Sequence, residues 1–386
     1  MFRSLVKPGI AVLGSVVVLG FLASAPAATS SALAAPAGRA KAQAATYPLV
    51  RAERVTFSSV SSCTVDRSSP AAEASCVSGA ASTVAVPATV PVSVAISPDA
   101  SICKLGFLVT ARHASCGDFN IKFKIVELPS GDVVGTGKVN VKYNETLSSN
   151  KRSWKLTVAM KLLSATGEAT SGMLAPATIK CTGGCSAAGS PVFPLPLHEV
   201  ASFAFGIKSP GTGTDFTHQT PKIFLRHAGA ADTSDLPLPG MGPARCDSVA
   251  VKGTSGCAFS GVAGAYVLHL HGQGVNSVAS HIEHAQRTKP RHFGWFGHGS
   301  PLTRATSSSV ARKNRRAACA HKHFAPLTCD EYPFAATFQG AAFFPHSNST
   351  FPVPGDQNSR EGALRVAMYR SERLLNKDPY FVFIVN

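Results

Sequence analysis

The ten cysteines constrain the fold of this chain more than any other feature, because they fall in five couples that are close in the sequence. An even number of cysteines at short spacings is typical of disulfides formed in an oxidising compartment. The sequence leaves the connectivity open, and pairing within each couple is the simplest choice. Cys181 and Cys185, with three residues between them, would also suit half of a zinc site, but the sequence contains no second half of matching spacing. The couples are Cys63 with Cys76, Cys103 with Cys116, Cys181 with Cys185, Cys246 with Cys257 and Cys319 with Cys329.

The N-terminus has the pattern of an export signal. Arg3 and Lys7 precede an apolar run at residues 10–22, and small residues follow it. We therefore expect a signal peptide at 1–35, a flexible leader at 36–46 and a secreted, extracellular protein. A retained membrane anchor is the competing interpretation, but the apolar run is shorter than the ~20 residues that a spanning helix needs. Stable membrane insertion is not expected.

Residues 47–236 have the composition of a β-rich domain. Segments that alternate or cluster β-branched and aromatic residues are separated by turn formers such as Pro129 to Asp132. This pattern predicts an N-terminal all-β, sandwich-like domain. Its histidines are scattered and no catalytic pattern is present, so its role and its partner stay unknown. The predicted strands lie at 84–96, 119–126, 138–143 and 154–160.

A stretch rich in proline and glycine, at 237–245, is predicted to be a linker because it suits neither a helix nor a central strand. In the region that follows, 246–386, basic side chains outnumber acidic ones, and the whole chain carries a net charge of +16. A basic exported protein favours an anionic partner such as nucleic acid or cell-wall polymer, although charge also serves solubility alone.

Three helices and a strand can be placed in the C-terminal region. Ser280 to Glu283 has the form of a capping box, which puts His281 in the first turn of a helix. A second helix is predicted at Ser309 to Ala320, and Asn358 is predicted to cap a third, with Glu361 at its third position. The chain closes with an apolar strand at 380–385. The region is therefore predicted to be a small α+β domain.

The acidic pair Asp330 and Glu331 stands out in this basic region. Pro333 disfavours helical geometry at the residue before it, so the pair is expected on an extended segment where neighbouring side chains point in different directions. Adjacent acids most often lie on solvated turns. A carboxylate pair can also hold a divalent metal and activate water, which is what hydrolysis of a phosphodiester requires.

The run from Cys329 to Gly340, Cys-Asp-Glu-Tyr-Pro-Phe-Ala-Ala-Thr-Phe-Gln-Gly, resembles the signature of the NucA/NucB family of extracellular bacterial deoxyribonucleases. Further matches follow the same order: His281-Ile282, Asn314-Arg315, Asn358 and Gly362. The resemblance covers roughly 246–386. It implies a C-terminal nuclease domain that is a metal-dependent endonuclease acting on DNA with low sequence preference.

Carried over residue by residue, the resemblance assigns metal binding and water activation to Asp330 and Glu331, with Mg²⁺ or Mn²⁺ as the expected cofactor. Asn358, a further candidate catalytic residue, matches the asparagine that commonly follows an acidic residue in the family. Gln357 stands at that preceding position here, which is a departure from the family pattern. It leaves Asp356 or Glu361 as substitutes, or implies weaker metal binding.

Three further residues are candidates for the site. His281 could act as a general acid or contact a phosphate, because an imidazole titrates near neutral pH; a capping or core histidine is the alternative. Arg304 and Arg315 suit phosphate binding, because a guanidinium group matches two phosphate oxygens. For any one arginine, the alternative is a solvated surface charge.

Two other functions compete. The histidines of the C-terminal region, among them His281 with His284 and His321 with His323, could serve a zinc hydrolase, but no His-Glu-x-x-His run is present. The second is a non-catalytic secreted protein that coats DNA or an anionic cell wall, which the altered Gln357 favours.

Overall fold

The computed structural model describes most of the chain after the leader. The predicted signal peptide, the leader up to residue 45 and Cys63 lie outside the described residues. The described residues are 46–47, 51–58, 73–77, 81–86, 90–91, 103–128, 130–228, 230, 236–251 and 254–386.

The first part is built from strands, as predicted. The segments expected at 119–126, 138–143 and 154–160 lie within three long strands, β7, β8 and β9, whose alternating burial follows from their alternating apolar residues. Of the segment expected at 84–96, only residues up to 86 and 90–91 are described. The strands are β1 (Thr46–Tyr47), β2 (Arg51–Phe57), β3 (Glu73–Val77), β4 (Ala81–Val86), β5 (Val90–Pro91), β6 (Phe107–Thr110), β7 (Ala114–Glu127), β8 (Val133–Thr146), β9 (Ser153–Gly167), β10 (Met173–Gly183), β11 (Ser186–Ala188), β12 (Val192–Pro194), β13 (Val200–Lys208), β14 (Asp215–Ile223), β15 (Arg226–His227), β16 (Leu236–Pro237), β17 (Met241–Val251) and β18 (Thr254–Phe259).

These strands form two main sheets that share one core. The nine-stranded sheet has the order β11-β13-β9-β8-β7-β6-β2-β4, with β3 beside β7. The seven-stranded sheet has the order β12-β10-β14-β17-β18, with β15 and β16 attached. Phe119 and Val158 of the first sheet belong to the same buried cluster as Ile223 and Phe259 of the second. The sandwich-like, all-β character of this part is therefore confirmed.

The predicted linker at 237–245 differs from the structure. Residues from Met241 onward form β17, which lies between β14 and β18. The ladder with β14 runs Thr217 opposite Ala244 and then Gln219 opposite Met241, so its register shifts where Gly242 and Pro243 lie. A bulge of this kind accommodates a proline, which has no N–H to give to a ladder.

The C-terminal part combines three helices with short sheets, so its predicted α+β character is confirmed. Strands β19 and β23 pair in parallel, and the intervening chain contains all three helices. The second predicted helix is confirmed, although it begins and ends one residue earlier than predicted. The closing strand is also confirmed. The elements are β19 (Gly264–His269), α1 (Asn276–Thr288), β20 (Leu302–Thr303), α2 (Ser308–Cys319), β21 (Thr328–Tyr332), β22 (Ser349–Val353), α3 (Gly355–Ser371) and β23 (Pro379–Val385).

Two predicted helix starts are wrong. Helix α1 begins at Asn276, so His281 lies in its middle and Ser280 to Glu283 is not a capping box. Its early N–H at Ser277 is bound instead by the side-chain oxygen of Gln357, at 2.8 Å. Helix α3 begins at Gly355, so Asn358 lies in its first turn rather than at the cap.

A second buried cluster holds the C-terminal part together. It joins Ile282 of α1, Tyr332 of β21, Met368 of α3 and Val382 of β23. The last residue of the first cluster is Val262 and the first residue of the second is Tyr266. The boundary between the two cores therefore lies at 262–266, later in the sequence than the predicted boundary at 245. The division into two separate domains stays a prediction, and residues 44–386 form one compact unit.

Buried ion pairs link the two cores. Asp378, just before β23, accepts hydrogen bonds from Arg245 at 2.6 Å and from Arg112 at 3.1 Å. Arg373 donates to Asp247 at 2.6 Å, and both side chains are completely buried. Burial alone would raise the pKa of Asp378, but the two arginines hold it below its ordinary value. A charged side chain left without its partner at such depth would lower the stability of the fold. The ion pairs therefore hold the β-rich part and the chain leading into β23 together.

Four of the five predicted disulfides lie wholly within the described residues, and all four are formed: Cys103–Cys116, Cys181–Cys185, Cys246–Cys257 and Cys319–Cys329. The disulfide Cys181–Cys185 settles the alternative of a zinc half-site at Cys181 in favour of a disulfide. Among the helices that the structure describes, none is long and apolar enough to cross a membrane.

Candidate active site

The acidic pair lies on an antiparallel ribbon of two strands, β21 and β22. In the ribbon, Asp330 stands opposite Phe351 and Glu331 stands opposite Thr350. Successive side chains of a strand point to opposite faces, and cross-strand partners share a face. Asp330 and Glu331 therefore face different sides, as the extended segment predicted. Helix α1 packs on the Asp330 face and helix α2 on the Glu331 face.

On the first face, Asp330 is part of a buried hydrogen-bonded chain. Its Oδ2 lies 2.6 Å from Nδ1 of His281, whose Nε2 lies 3.0 Å from the hydroxyl of Ser349. An ionised carboxylate can only accept hydrogen bonds, so Nδ1 donates to Asp330, while Nε2 and the hydroxyl of Ser349 share the second hydrogen bond. Phe351 covers the imidazole at 5.6 Å between ring centroids. His281 is thus held at both nitrogens, with a side chain that is 1% exposed, and its role as a general acid or phosphate contact stays a prediction.

On the second face, Glu331 lies at the edge of a basic surface. Its Oε1 is 3.9 Å from Nε of Arg315, a side chain that is 68% exposed. Lys322, also exposed, donates to the hydroxyl of Thr350 across the ribbon. Burial first, and then the charge of Asp330, raise the pKa of Glu331 to about 7. A carboxylate of this kind exchanges a proton readily near neutral pH.

Helix α2 is held against the ribbon by covalent and polar contacts. The disulfide Cys319–Cys329 joins the end of the helix to the residue before Asp330. Asn314, completely buried, donates from Nδ2 to the carbonyl oxygens of Ala335 and Thr337, both at 2.8 Å. The same side chain would collide with a Cβ at position 340, which explains the glycine there. These contacts place Arg315 beside Glu331.

Asn358 supports the ribbon from a third direction. Its Nδ2 donates to the carbonyl oxygen of Cys329 and to the hydroxyl of Thr328, both at 3.2 Å. The first turn of α3 is therefore fixed to the strand that carries the acidic pair. The amide nitrogen of Asn358 is therefore engaged with the strand, and the catalytic role of Asn358 stays a prediction.

Asp356 and Glu361 are the two acidic residues that could substitute for a carboxylate at position 357, and they differ in how their oxygens are engaged. Glu361 is buried, and Arg365 and the hydroxyl of Tyr266 both bind its Oε1 at 3.0 Å. Burial raises the pKa of Glu361, and Arg365 counteracts that rise. Asp356 lies exposed in the first turn of α3. Gln357 itself is engaged with helix α1 and is not aimed at a ligand.

Arg304 is not brought to the acidic pair. Its guanidinium donates to the carbonyl oxygen of Leu374 and lies 4.6 Å from the ring centroid of Tyr369. Burial lowers its pKa, and the neighbouring tyrosines counteract that change. Among its described contacts, none is with Asp330, Glu331 or His281. Of the two arginines predicted to bind phosphate, Arg315 lies beside Glu331 and Arg304 lies apart from it, and both phosphate roles stay predictions.

The donor set fits a divalent cation that keeps most of its water. Asp330 and Glu331 offer the hard oxygens that Mg²⁺ and Mn²⁺ accept, but their side chains face opposite sides and do not converge on one ion. Within the described residues, the one group of three close potential ligands is Cys319, Cys329 and Glu331. Both sulfur atoms are in a disulfide and cannot act as thiolate ligands. Glu331, whose side chain is 13% exposed, remains as the carboxylate of this group, and metal binding by Asp330 and Glu331 stays a prediction.

Two residues of this site were absent from the sequence prediction. Ser349 and Lys322 reach the site through the register of β22 and through the turn after α2, respectively. Neither has a sequence signal near the acidic pair. The order of polar and apolar residues in 349–353, Ser-Thr-Phe-Pro-Val, was the available hint of a second strand.

The C-terminal region matches a known protein family. Residues 296–383 match the family described as deoxyribonuclease NucA/NucB. This match includes Arg315, both acidic residues and Asn358, and it begins after His281. It confirms the resemblance for this part of the chain. No curated protein and no solved structure matches the chain.

Proposed function

We propose that this protein is a secreted, metal-dependent endodeoxyribonuclease that hydrolyses phosphodiester bonds of DNA with low sequence preference. The observation that carries the proposal is the position of Glu331, a mostly buried carboxylate beside Arg315 within the segment that matches the deoxyribonuclease family. The formed disulfides support export to an oxidising compartment.

The basic surface around Glu331 suits the phosphate backbone. Helix α2 presents Arg312, Lys313, Arg315 and Arg316, all exposed, and contains no acidic residue. Lys322 extends this charge to the ribbon. Contacts of this kind bind any sequence, because they reach phosphates and not base edges. Low sequence preference follows from this chemistry.

The residues of the site divide the reaction between them. Glu331 accepts a proton from the water that attacks phosphorus, the bond from phosphorus to the leaving oxygen breaks, and that oxygen takes a proton from solvent water. Arg315 and Lys322 neutralise the charge that develops on the phosphate oxygens. Asp330 and His281 form a buried support that fixes the ribbon against α1. Mg²⁺ or Mn²⁺ bound at Glu331 would supply further charge neutralisation and lower the pKa of a bound water.

A plasmid-nicking assay with Mg²⁺ or Mn²⁺, with and without a chelator, tests this function. We expect nicking that the chelator stops, and that Glu331→Gln and Asp330→Ala abolish. Glu168→Gln, an exposed carboxylate of the β-rich part, is the matched control and should nick like the wild type. Undiminished cleavage by Glu331→Gln would overturn the mechanism.

A non-catalytic DNA-binding protein is the second candidate. The observation that favours it is Gln357, which carries no charge and is bound to Ser277. Under this alternative, DNA is retarded on a gel by the wild type but is not cut with either metal. Arg315→Gln would then weaken retardation without any change in cleavage.

A further inference from the structure

A turn next to the ribbon carries an unusual concentration of aromatic and basic side chains. Residues 291–300, the aromatic turn, read Arg-His-Phe-Gly-Trp-Phe-Gly-His-Gly-Ser. The imidazole of His298 lies parallel to the indole of Trp295, with 3.8 Å between ring centroids and 21° between planes. His298 is exposed and Trp295 is half-buried. The stack therefore presents one flat face to solvent.

The aromatic turn is held rigidly. The N–H of Gly294 donates to the carbonyl oxygen of Ser300 at 2.8 Å, and that of Gly299 donates to Trp295 at 2.9 Å. Gly294 and Gly297 have φ values of 73° and 76°, a region that glycine adopts without strain. The stack is thus preorganised before any ligand arrives, which lowers the entropic cost of binding.

Basic groups flank the stack on two sides. The guanidinium of Arg287 lies 5.6 Å from the ring centroid of Trp295. Its Nη2 also lies 2.6 Å from Oε1 of Glu283. Arg291, exposed, lies 5.0 Å from the ring centroid of Phe344. A phosphate on either side of a stacked base would meet one of these two arginines.

His298 lies between two clefts. One, of about 470 Å³, is lined by Arg291, Phe293, Gly297, His298, Gly299 and Ser300. The other, of about 240 Å³, includes Arg287, Trp295 and His298 in its lining. The side chain of His298 therefore borders open space in both clefts.

The aromatic turn is connected directly to the ribbon. The hydroxyl of Tyr332, at the end of β21, donates to the carbonyl oxygen of Phe293 at 2.8 Å. Gln286 donates to that same hydroxyl at 3.1 Å. Tyr332 shares the Asp330 face of the ribbon, so these hydrogen bonds fix the position of the aromatic turn relative to that face.

We propose that the aromatic turn is a nucleobase-binding subsite, which gives the protein a preference for unpaired DNA. Aromatic side chains beside a basic surface are the arrangement by which proteins hold single strands, because every base has a flat face for stacking. Bases in a duplex are already stacked on each other and are not available to His298. This inference rests on the proposed function for its choice of DNA as the ligand.

Binding without cleavage tests the proposal. Fluorescence anisotropy in the presence of a chelator compares a short oligo(dT) with a blunt hairpin duplex of equal charge. We expect tighter binding of oligo(dT), and a loss of about 10-fold for oligo(dT) alone in His298→Ala. His298→Phe should restore binding, because it keeps a flat ring. Arg312→Gln on helix α2 is the control, and should weaken both DNAs alike.

The fluorescence of Trp295 gives a second readout. The chain has two tryptophans, and Trp154 is 6% exposed in the β-rich core, so quenching by oligo(dT) reports on Trp295. Equal affinity for both DNAs, or His298→Phe binding as weakly as His298→Ala, would overturn the inference. Oligo(dT) binding that depends on His298 in a protein without cleavage would overturn the proposed function and leave the subsite standing. Cleavage of both DNAs at equal rates, unchanged in His298→Ala, would overturn the subsite and leave the proposed function standing.

Discussion

Asp330 and Glu331 are adjacent in the chain, yet Asp330 hydrogen-bonds to His281 on helix α1 while Glu331 approaches Arg315 on helix α2. The two carboxylates therefore have different consequences when they are removed. Asp330→Asn should lower the free energy of unfolding by about 2 kcal/mol, because a buried charge-assisted hydrogen bond is lost. Glu331→Gln should be at least as stable as the wild type while losing activity. Urea denaturation of both variants measures the difference, and equal destabilisation would contradict it.

Removal of the imidazole tests the same buried chain from the other side. His281→Ala leaves the carboxylate of Asp330 without its partner, so we expect a loss of about 3 kcal/mol in the free energy of unfolding. His284→Ala is the matched control, since His284 is an exposed histidine on the same helix. Thermal denaturation of the two variants should show a large shift for the first and little for the second. Similar shifts would argue against the buried chain.

Arg315 and Arg316 are neighbours on one helix, and only Arg315 has a described contact with Glu331. Arg315→Ala should lower kcat/KM for DNA cleavage on the order of 100-fold, because a charge beside the reacting phosphate is lost. Its stability should stay within about 0.5 kcal/mol of the wild type, since the pair is largely exposed. Arg316→Ala should cost far less activity. Steady-state kinetics on both variants decides the matter, and a common small loss would place the reaction elsewhere.

The disulfide Cys319–Cys329 fixes helix α2 to the ribbon. The double variant Cys319→Ser, Cys329→Ser should lose about 3 kcal/mol of stability, the amount expected for a loop of this length. It should also lose activity below its unfolding temperature, because Arg315 is no longer held beside Glu331. The matched control is the double serine variant of Cys181 and Cys185, whose disulfide lies in the β-rich part. Equal activity in both double variants would contradict the role given to the first disulfide.

A buried carboxylate in the β-rich part makes stability depend on pH. Burial raises the pKa of Glu145 to about 7, and the hydrogen bond from Trp154, at 2.7 Å, counteracts part of that rise. Because the folded-state pKa lies above the unfolded one, this contribution is fully present below about pH 4.5 and is lost as the pH rises through 7. Glu145→Gln should therefore gain up to about 3 kcal/mol over the wild type at pH 8 and little at pH 4. Urea denaturation across this range measures the gain, with Glu168→Gln as the exposed control, and a gain independent of pH would refute the assignment.

Local features of the site could be predicted from the sequence, and contacts between distant segments could not. The extended conformation of Asp330 and Glu331 follows from Pro333 and was confirmed. The start of helix α1 was missed, because its N–H at Ser277 is bound by Gln357, far away in the sequence. No local pattern contains that contact. Ser349 and Lys322 were missed for the same reason.

The β-rich half shows the same division. Its long strands were predicted from alternation, which depends only on neighbouring residues. The strand at Met241 was not, because Gly242 and Pro243 resemble a linker until a bulge opposite β14 accommodates them. The contact of Arg304 with Tyr369 could not be predicted either, because the two residues are far apart in the sequence.

The buried pairs of Arg112 and Arg245 with Asp378, and of Arg373 with Asp247, bear on how such a protein could be inherited or rebuilt. A gene fusion that joined this C-terminal region to a different β-rich partner would leave charged groups buried without their counterparts. The exchange would have to carry both sides of the junction, or replace both with apolar residues of similar volume. The two parts are therefore expected to be inherited as a pair rather than as interchangeable cassettes.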